Sequence, residues 1–372
     1  MKAPFVWFGG KRRVAPEVWA ALGDVPNYIE PFAGSLAVLL GRPHDMSNGT
    51  RRAETVNDAD GFLANFWRAL AHDPEAVAHW CDWPVNEVDL FARHLWLVNT
   101  GRSRLLEGME ADPDFYDAQV AGWWVWGVNA WIGSGWCSGD GPWVDTGDGI
   151  GKRPHLGDAG QGVKRQLPHL GTAGQGVNRQ LPHLGDAGRA GYNNMEYRPN
   201  VLGYFEELAG RLRDVRVCCG DWSRVCTRGA MTWGSRVGVF LDPPYLGDVR
   251  TADLYAVDDH TIAHAVRDWC LEHGDDPRLR IVLAGYRAEH DDLMPDTWRR
   301  HYYSASAAYP TTESAARQDG NHANRANEVL WFSPHCVTPD RQGELWEAKR
   351  LSLGPLFEPK PLPQPSMFDG EL

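Results

Sequence analysis

Nine residues constrain the chain most tightly: Val237-Gly-Val-Phe-Leu-Asp-Pro-Pro-Tyr245. Their β-branched and aromatic opening reads as a strand buried on both faces, as at the centre of a parallel sheet. Proline cannot donate to a sheet ladder, so the chain must leave the sheet at Pro243. An acid, Asp242, is thereby held at the carboxyl end of a central strand, followed by two stiff residues and the ring of Tyr245. In open α/β sheets, ligands bind along that edge.

Such a corner suits a particular chemistry. The exocyclic amine of a nucleobase is a poor nucleophile, because its lone pair is delocalised into the ring. A carboxylate (Asp242) and a peptide carbonyl (Pro243) can both accept hydrogen bonds from that amine. They favour the pyramidal nitrogen and the positive charge that develops as it attacks. Tyr245, after Pro244, can hold a flat base by stacking. The alternative is an ordinary strand end with a Pro-Pro turn and a solvated acid, and four residues alone do not decide between the two.

Other strand ends carry residues of the same kind. Phe5-Val-Trp7-Phe-Gly-Gly10-Lys11 runs from aromatics through a Gly-Gly turn to a cation, and a helix is expected from about Val14 to Leu22. The Gly pair lets backbone approach a ligand closely, or makes a tight surface turn. Tyr28-Ile29 reads as a short strand leading into Glu30-Pro31-Phe32-Ala33-Gly34-Ser35 and then an apolar helix, the nucleotide-binding corner of a doubly wound sheet. The GxGxxG pattern is not met, since Leu36 stands where a second glycine is expected, and no Walker lysine follows. Glu54-Thr-Val56 reads as a second strand ending at Asn57-Asp58; Asp58 suits ribose hydroxyls, the N-cap of the following helix, or both. Val215-Arg-Val-Cys-Cys219 stops at Gly220-Asp221-Trp222, where an acid could accept from an adenine amine while Trp222 covers one face.

With these motifs in this order, the chain resembles the D12-class, DNA-adenine-methylase type of N6-adenine DNA methyltransferase. Trp7 to Lys11 is similar to that family's N-terminal cofactor motif, and Glu30 to Ser35 resembles its glycine loop. Asn57-Asp58 resembles its ribose-binding acid and Asp221 the acid at the cofactor's adenine. Asp242-Pro-Pro-Tyr245 resembles the catalytic tetrapeptide, and Asn327-Glu-Val-Leu-Trp-Phe332 the closing strand. Leu36 departs from the family's commoner Gly. The resemblance covers roughly residues 4–70 and 200–335. It implies a Rossmann-like methyltransferase sheet, S-adenosylmethionine as cofactor, and a target adenine flipped out of double-stranded DNA. The implied catalytic residues are Asp242, Pro243, Pro244 and Tyr245. The implied cofactor residues are Trp7, Gly10, Lys11, Glu30, Phe32, Ala33, Gly34, Ser35, Asp58, Asp221, Trp222 and Asp242. No metal is expected. An N4-cytosine enzyme makes similar demands on the tetrapeptide, and a catalytically idle DNA-binding protein on the same scaffold is the rival from another class.

Residues 1–70 and 199–335 are expected to form this discontinuous catalytic domain. Residues 71–198 form a mostly helical and irregular inserted target-recognition region, with helices expected over Val77–Trp83 and Val88–Thr100. The Gly-broken, Trp-rich run from Gly122 to Trp136 suits an aromatic core for the insertion, or contact with DNA. A 14-residue repeat begins at Pro154 and runs to about 191. It is too Gly-rich to build a core, and suits either DNA contacts or a solvated insert. The chain's net charge of −12 argues mildly against a nucleic-acid partner. Yet Lys152, Arg153, Lys164, Arg165, Arg179, Arg189 and Arg198 outnumber Asp158, Asp186 and Glu196, a local basic face. The first five of these cations, with Arg317 and Arg325, are the candidate DNA contacts.

Beyond Arg280–Tyr286, read as a buried strand, and His260–Glu272, read as a helix, the chain ends in a Pro-rich tail, 336–372. Its Gln364-Pro-Ser-Met-Phe368 resembles peptides that dock on replication sliding clamps. The seven scattered cysteines fit a reducing compartment. Neither a signal peptide nor a membrane-length apolar run is evident, so a cytoplasmic location is expected. The resemblance implies action on DNA in a bacterial or virus-infected bacterial cell, and a monomer is the simplest form for a self-contained methylase.

Overall fold

The computed structural model describes residues 1–5, 7, 10–43, 52–131, 136–137, 143–145, 150–152, 201–244, 259–303 and 328–338. The strands are β1 (Asn27–Glu30), β2 (Ala53–Asp58), β3 (Trp143–Asp145), β4 (Ile150–Lys152), β5 (Val215–Cys219), β6 (Val237–Leu241), β7 (Leu279–Tyr286), β8 (Arg299–Tyr303) and β9 (Glu328–Phe332). The helices are α1 (Ala15–Leu22), α2 (Ala37–Leu40), α3 (Gly61–His72), α4 (Pro74–Cys81), α5 (Glu87–Trp96), α6 (Arg102–Ala111), α7 (Ala118–Ala130), α8 (Val201–Leu212), α9 (Asp259–His273) and α10 (Arg287–His290). Met1–Cys336 form one unit and Val337–Leu372 a second, of which only Val337 and Thr338 are described.

A seven-stranded sheet runs in the order β5-β2-β1-β6-β7-β9-β8. Parallel pairing joins β5 through β7, and β9 alone is antiparallel to both its neighbours. This is the mixed α/β sheet expected, compatible with a methyltransferase fold. The chain builds outward from β1 through β2 to β5, then returns to β6 on the other side of β1. The order thus reverses between β1 and β6, and in doubly wound sheets the crevice opens at such a reversal.

The period-2 alternation of the strands divides the core. Tyr28, Val56, Phe240, Val282 and Leu330 face one layer with α1, α2, α3 and α8; Ile29, Val239, Leu241, Ile281 and Trp331 face the other, with Val266 and Cys270 of α9. Every residue of β6 is buried, as its unbroken apolar run requires. All seven cysteines are free thiols.

Helix starts follow side-chain caps. Asp60 accepts from the backbone N–H groups of Phe62 and Leu63 at the start of α3, Asp73 from Ala76 at α4, Asn86 from Asp89 at α5, and Asp117 from Val120 at α7. The cap of α3 is therefore Asp60, which rules out the N-cap alternative for Asp58. The helical pattern expected to end at Thr100 instead passes through a π-helical turn, Leu97–Gly101, and continues as α6. The sequence reading also missed β8 and α8.

In the described part of 71–198, α4 and α7 pack against α3, and α4 against α8. Their core is continuous with that of the sheet: Trp124 of α7 meets Phe5 edge-on at 5.3 Å and Phe66 at 5.7 Å. A Cβ at Gly127 would lie 1.8 Å from the Trp136 ring, so that ring sits directly on the helix backbone. Tyr245, the repeat from Pro154, Arg153, Lys164, Arg165, Arg179, Arg317, Arg325 and Gln364–Phe368 lie outside the described residues, and of Lys152 only the backbone, in β4, is described. No helix among the described residues is long and apolar enough to cross a membrane.

Candidate functional site

Four strands end at the crevice with polar residues. Asp242 follows directly on β6 and is half-buried. Lys11, on a short 3-10 turn before α1, reaches across to place its Nζ 3.0 Å from Asp242 Oδ1. The Lys11 side chain is only 4% exposed, so this ion pair is shielded from solvent on one side. Glu30, the last residue of β1, lies on the same side of the sheet. Its carboxyl accepts a 2.9 Å hydrogen bond from the Tyr28 hydroxyl. Burial, with a smaller contribution from the negative charge of Asp242, pushes Glu30 up to about 8. Near neutral pH the cluster therefore consists of one ion pair and one protonated acid.

The loop after β1 is held by backbone hydrogen bonds. The Ala33 N–H donates to the Asn57 carbonyl at 2.8 Å and the Leu36 N–H to the Ala33 carbonyl at 2.8 Å. The Gly34 N–H donates to Asp58 Oδ2 at 2.9 Å, and the Trp67 indole N–H donates to the Gly34 carbonyl at 3.0 Å. Gly34 has φ +46°, and a Cβ there would stand 2.9 Å from the Trp7 ring, so Trp7 lies against bare backbone. Ala33 and Ser35 are buried.

Leu36 is also left-handed, at φ 53°. The backbone at this position thus takes the conformation that glycine adopts most readily, while carrying a wholly buried leucine. Left-handed geometry costs a non-glycine residue about 1–2 kcal/mol. Burying a leucine side chain returns about 1.5–3 kcal/mol, which is enough to retain the turn.

Asp58 accepts from the backbone N–H groups of Gly34, at 2.9 Å, and Asp60, at 3.0 Å, and the Ala59 N–H also favours its charged form. Burial raises it to about 7 in spite of those groups. A carboxylate has about four acceptor positions, so these do not use them all and room is left for a ligand hydroxyl. Beside it, the Asn57 amide donates to the Pro31 carbonyl at 3.0 Å and to the Gly220 carbonyl at 2.9 Å. Its Oδ1 is buried with no donor among the described residues. Two ordinary hydrogen bonds contribute about 1 kcal/mol each, and a buried orphan acceptor costs about 1–3 kcal/mol. The amide's net effect on folding is therefore close to zero.

At the end of β5, Asp221 is exposed and caps a 3-10 turn, Trp222–Val225, accepting from the Ser223 N–H at 2.9 Å and from the Ser223 hydroxyl. Trp222 lies nearly parallel to Phe32, with ring centroids 6.1 Å apart, and meets Trp269 of α9 edge-on. Glu30, Phe32, Ala33, Gly34, Ser35, Asp58, Asp221, Trp222 and Asp242 thus stand at or just beyond the carboxyl ends of β1, β2, β5 and β6, and Trp7, Gly10 and Lys11 on the segment before α1, with Trp7 against Gly34 and Lys11 against Asp242. Pro243 is buried and Pro244 half-buried.

Three features escaped the sequence reading: the direct pairing of Lys11 with Asp242, the bridge made by Asn57, and the Trp67 indole on the glycine loop. Asn57 carried a signal, a polar residue in an otherwise buried strand end; Trp67 looked like any core aromatic of an amphipathic helix. Chemically, the site offers carboxylates to hydroxyls and amines, flat rings to a base, and a glycine turn to a close ligand. Among the described residues no group of three or more His, Cys, Asp or Glu side chains could hold a metal ion.

Residues 7–85 match the family model of the D12 class N6 adenine-specific DNA methyltransferases. The matched stretch includes Trp7, Lys11, the loop Glu30–Ser35, Asn57 and Asp58, while Asp221 and Asp242 lie beyond it. No curated protein matches the chain.

Proposed function

We propose that this chain is a DNA methyltransferase that transfers a methyl group from S-adenosylmethionine to the N6 amine of an adenine flipped out of duplex DNA. The match over residues 7–85 supports the family, and one observation carries the chemistry. Asp242 ends the central strand at the point where the strand order reverses, one strand from the loop that Asp58 holds.

The residues present suit the cofactor. Asp58 has acceptor capacity left for a ribose hydroxyl, Asp221 and Trp222 offer an acid and a ring to its adenine, and Gly34 lets the Trp7 ring close directly on the loop backbone. Trp7, Gly10, Lys11, Glu30, Phe32, Ala33 and Ser35 complete the cofactor side. When bound, S-adenosylmethionine supplies an electrophilic methyl on a positively charged sulfur. Asp242 and the Pro243 carbonyl accept hydrogen bonds from the adenine amine and stabilise the charge that grows on its nitrogen. Tyr245 stacks on the base, and Pro244 stiffens the turn that aims it. Lys11 holds the Asp242 carboxylate in place before the amine arrives and shares it afterwards. Lys152, Arg153, Lys164, Arg165, Arg179, Arg317 and Arg325 contact the DNA backbone. Most of the rate then comes from positioning and electrostatics.

Transfer of a labelled methyl group to duplex DNA, followed by nucleoside analysis, tests this. The wild-type chain is expected to yield N6-methyladenine, and Asp242→Ala to lose about 10²–10³-fold in rate. Equal rates in the two proteins, or an inert wild type, would sink the assignment. Methyl on cytosine N4 would overturn the choice of base.

A further inference from the structure

Asn57 has no place in the chemistry above, yet it is the residue on which two cofactor-side segments meet. We propose that Asn57 is a positioning residue: its amide sets the spacing between the loop Pro31–Ser35 and the turn Gly220–Trp222, and so governs how tightly the nucleoside end of the methyl donor is held. This rests on the methyltransferase reading of the site.

Both amide hydrogens are committed, one to the Pro31 carbonyl and one to the Gly220 carbonyl. The two carbonyls also fix which end of the amide is nitrogen, because an oxygen placed there would face two acceptors. The backbone around the side chain repeats the arrangement. The Asn57 carbonyl takes the Ala33 N–H, and the Asp58 carbonyl takes the Gly220 N–H at 3.0 Å. Among the described residues no hydrogen bond runs directly from the loop to the turn; apart from the Phe32–Trp222 ring contact, they are related through Asn57-Asp58. The orphaned Oδ1 removes the argument that the amide is there for stability, since what its hydrogens gain its oxygen gives back. Asn57 touches none of the groups proposed to meet the target amine, so its loss should weaken cofactor binding and spare the methyl-transfer step.

Steady-state kinetics on the full chain, with S-adenosylmethionine varied at saturating duplex DNA, supply the test. Asn57→Leu removes the donors at similar volume, and Asn57→Ser keeps one hydroxyl donor in a smaller side chain. Val77→Ala, in the core of α4, is the control for general destabilisation. Both Asn57 variants are expected to raise KM for the cofactor about tenfold, with kcat at saturation within about twofold of wild type, the pattern of lost uniform binding. Val77→Ala should leave KM unchanged. The inference is overturned if KM stays at the wild-type value in both Asn57 variants, if Val77→Ala raises it equally, or if neither Asn57 variant folds, since the amide would then be holding the fold. A wild-type chain that transfers no methyl group would instead refute the methyltransferase reading itself.

Discussion

Replacing Glu30 by glutamine should stabilise the protein by an amount that grows with pH. Glu30 is wholly buried, and burial with the nearby Asp242 charge lifts it from a usual 4.5 to about 8. An acid raised on folding binds more protons in the folded than in the unfolded chain between those two values. Its contribution to stability is therefore complete below about pH 4.5, erodes as pH rises, and is fully lost once pH passes about 8. At about 1.36 kcal/mol per unit, the wild type should lose about 2.5 kcal/mol through this group between about pH 5 and about pH 7. Glutamine keeps the shape and an acceptor for the Tyr28 hydroxyl but has no proton to lose. Asp58 titrates over a similar range in both proteins and cancels in the comparison. Urea unfolding of the two proteins at both pH values measures the effect. The stability gap should widen in favour of Glu30→Gln by about 2.5 kcal/mol from the lower pH to the higher. A gap that stays constant would mean that Glu30 ionises in the fold as easily as in water, and the neutral-acid picture of the cluster would fail.

Two further outcomes can be checked in the same way. Leu36→Gly relieves about 1 kcal/mol of left-handed strain but removes a fully buried side chain, a loss of about 2–5 kcal/mol, so the variant should be less stable by about 2 kcal/mol. A variant as stable as wild type by urea unfolding would show that burial does not hold this turn. A double-mutant cycle of Lys11→Met and Asp242→Asn should give a coupling energy of about 1–3 kcal/mol for their 3.0 Å contact; a value near zero would mean the pair does not form in solution.

The parts of this fold that were legible in the sequence share one physical trait. Where an apolar run is broken by an acid or a proline, as at Leu241-Asp242-Pro243 or Val56-Asn57-Asp58, burial and the end of a ladder leave a pattern along the chain itself. β8 left none: Arg299-Arg-His-Tyr-Tyr303 is polar and only partly buried, and it is a strand because β9 pairs with it. The π-helical turn at Leu97–Gly101 was equally hidden, since its spacing of apolar residues differs little from that of an α-helix. At the site, the strand ends could be read one by one but not in register. Nothing near Lys11 indicates that its partner is Asp242, because that contact exists only once β1 and β6 lie side by side. Likewise Asn57 reads as the polar end of a strand until the loops on either side supply two carbonyls to it.

The one antiparallel strand described in the seven-stranded sheet carries a consequence for biosynthesis. Among the described residues β9 is the last strand to leave the ribosome, yet it belongs between β7 and β8, and β8 pairs with it alone. Until Glu328–Phe332 arrive, a nascent chain leaves the buried apolar strand β7 as an unpaired edge, with β8 not yet attached to the sheet. Such an edge is open to any extended segment, from the same chain or from a neighbouring one. A product of translation interrupted before Glu328 would keep that edge open permanently and should aggregate, however complete the strands β5 to β7.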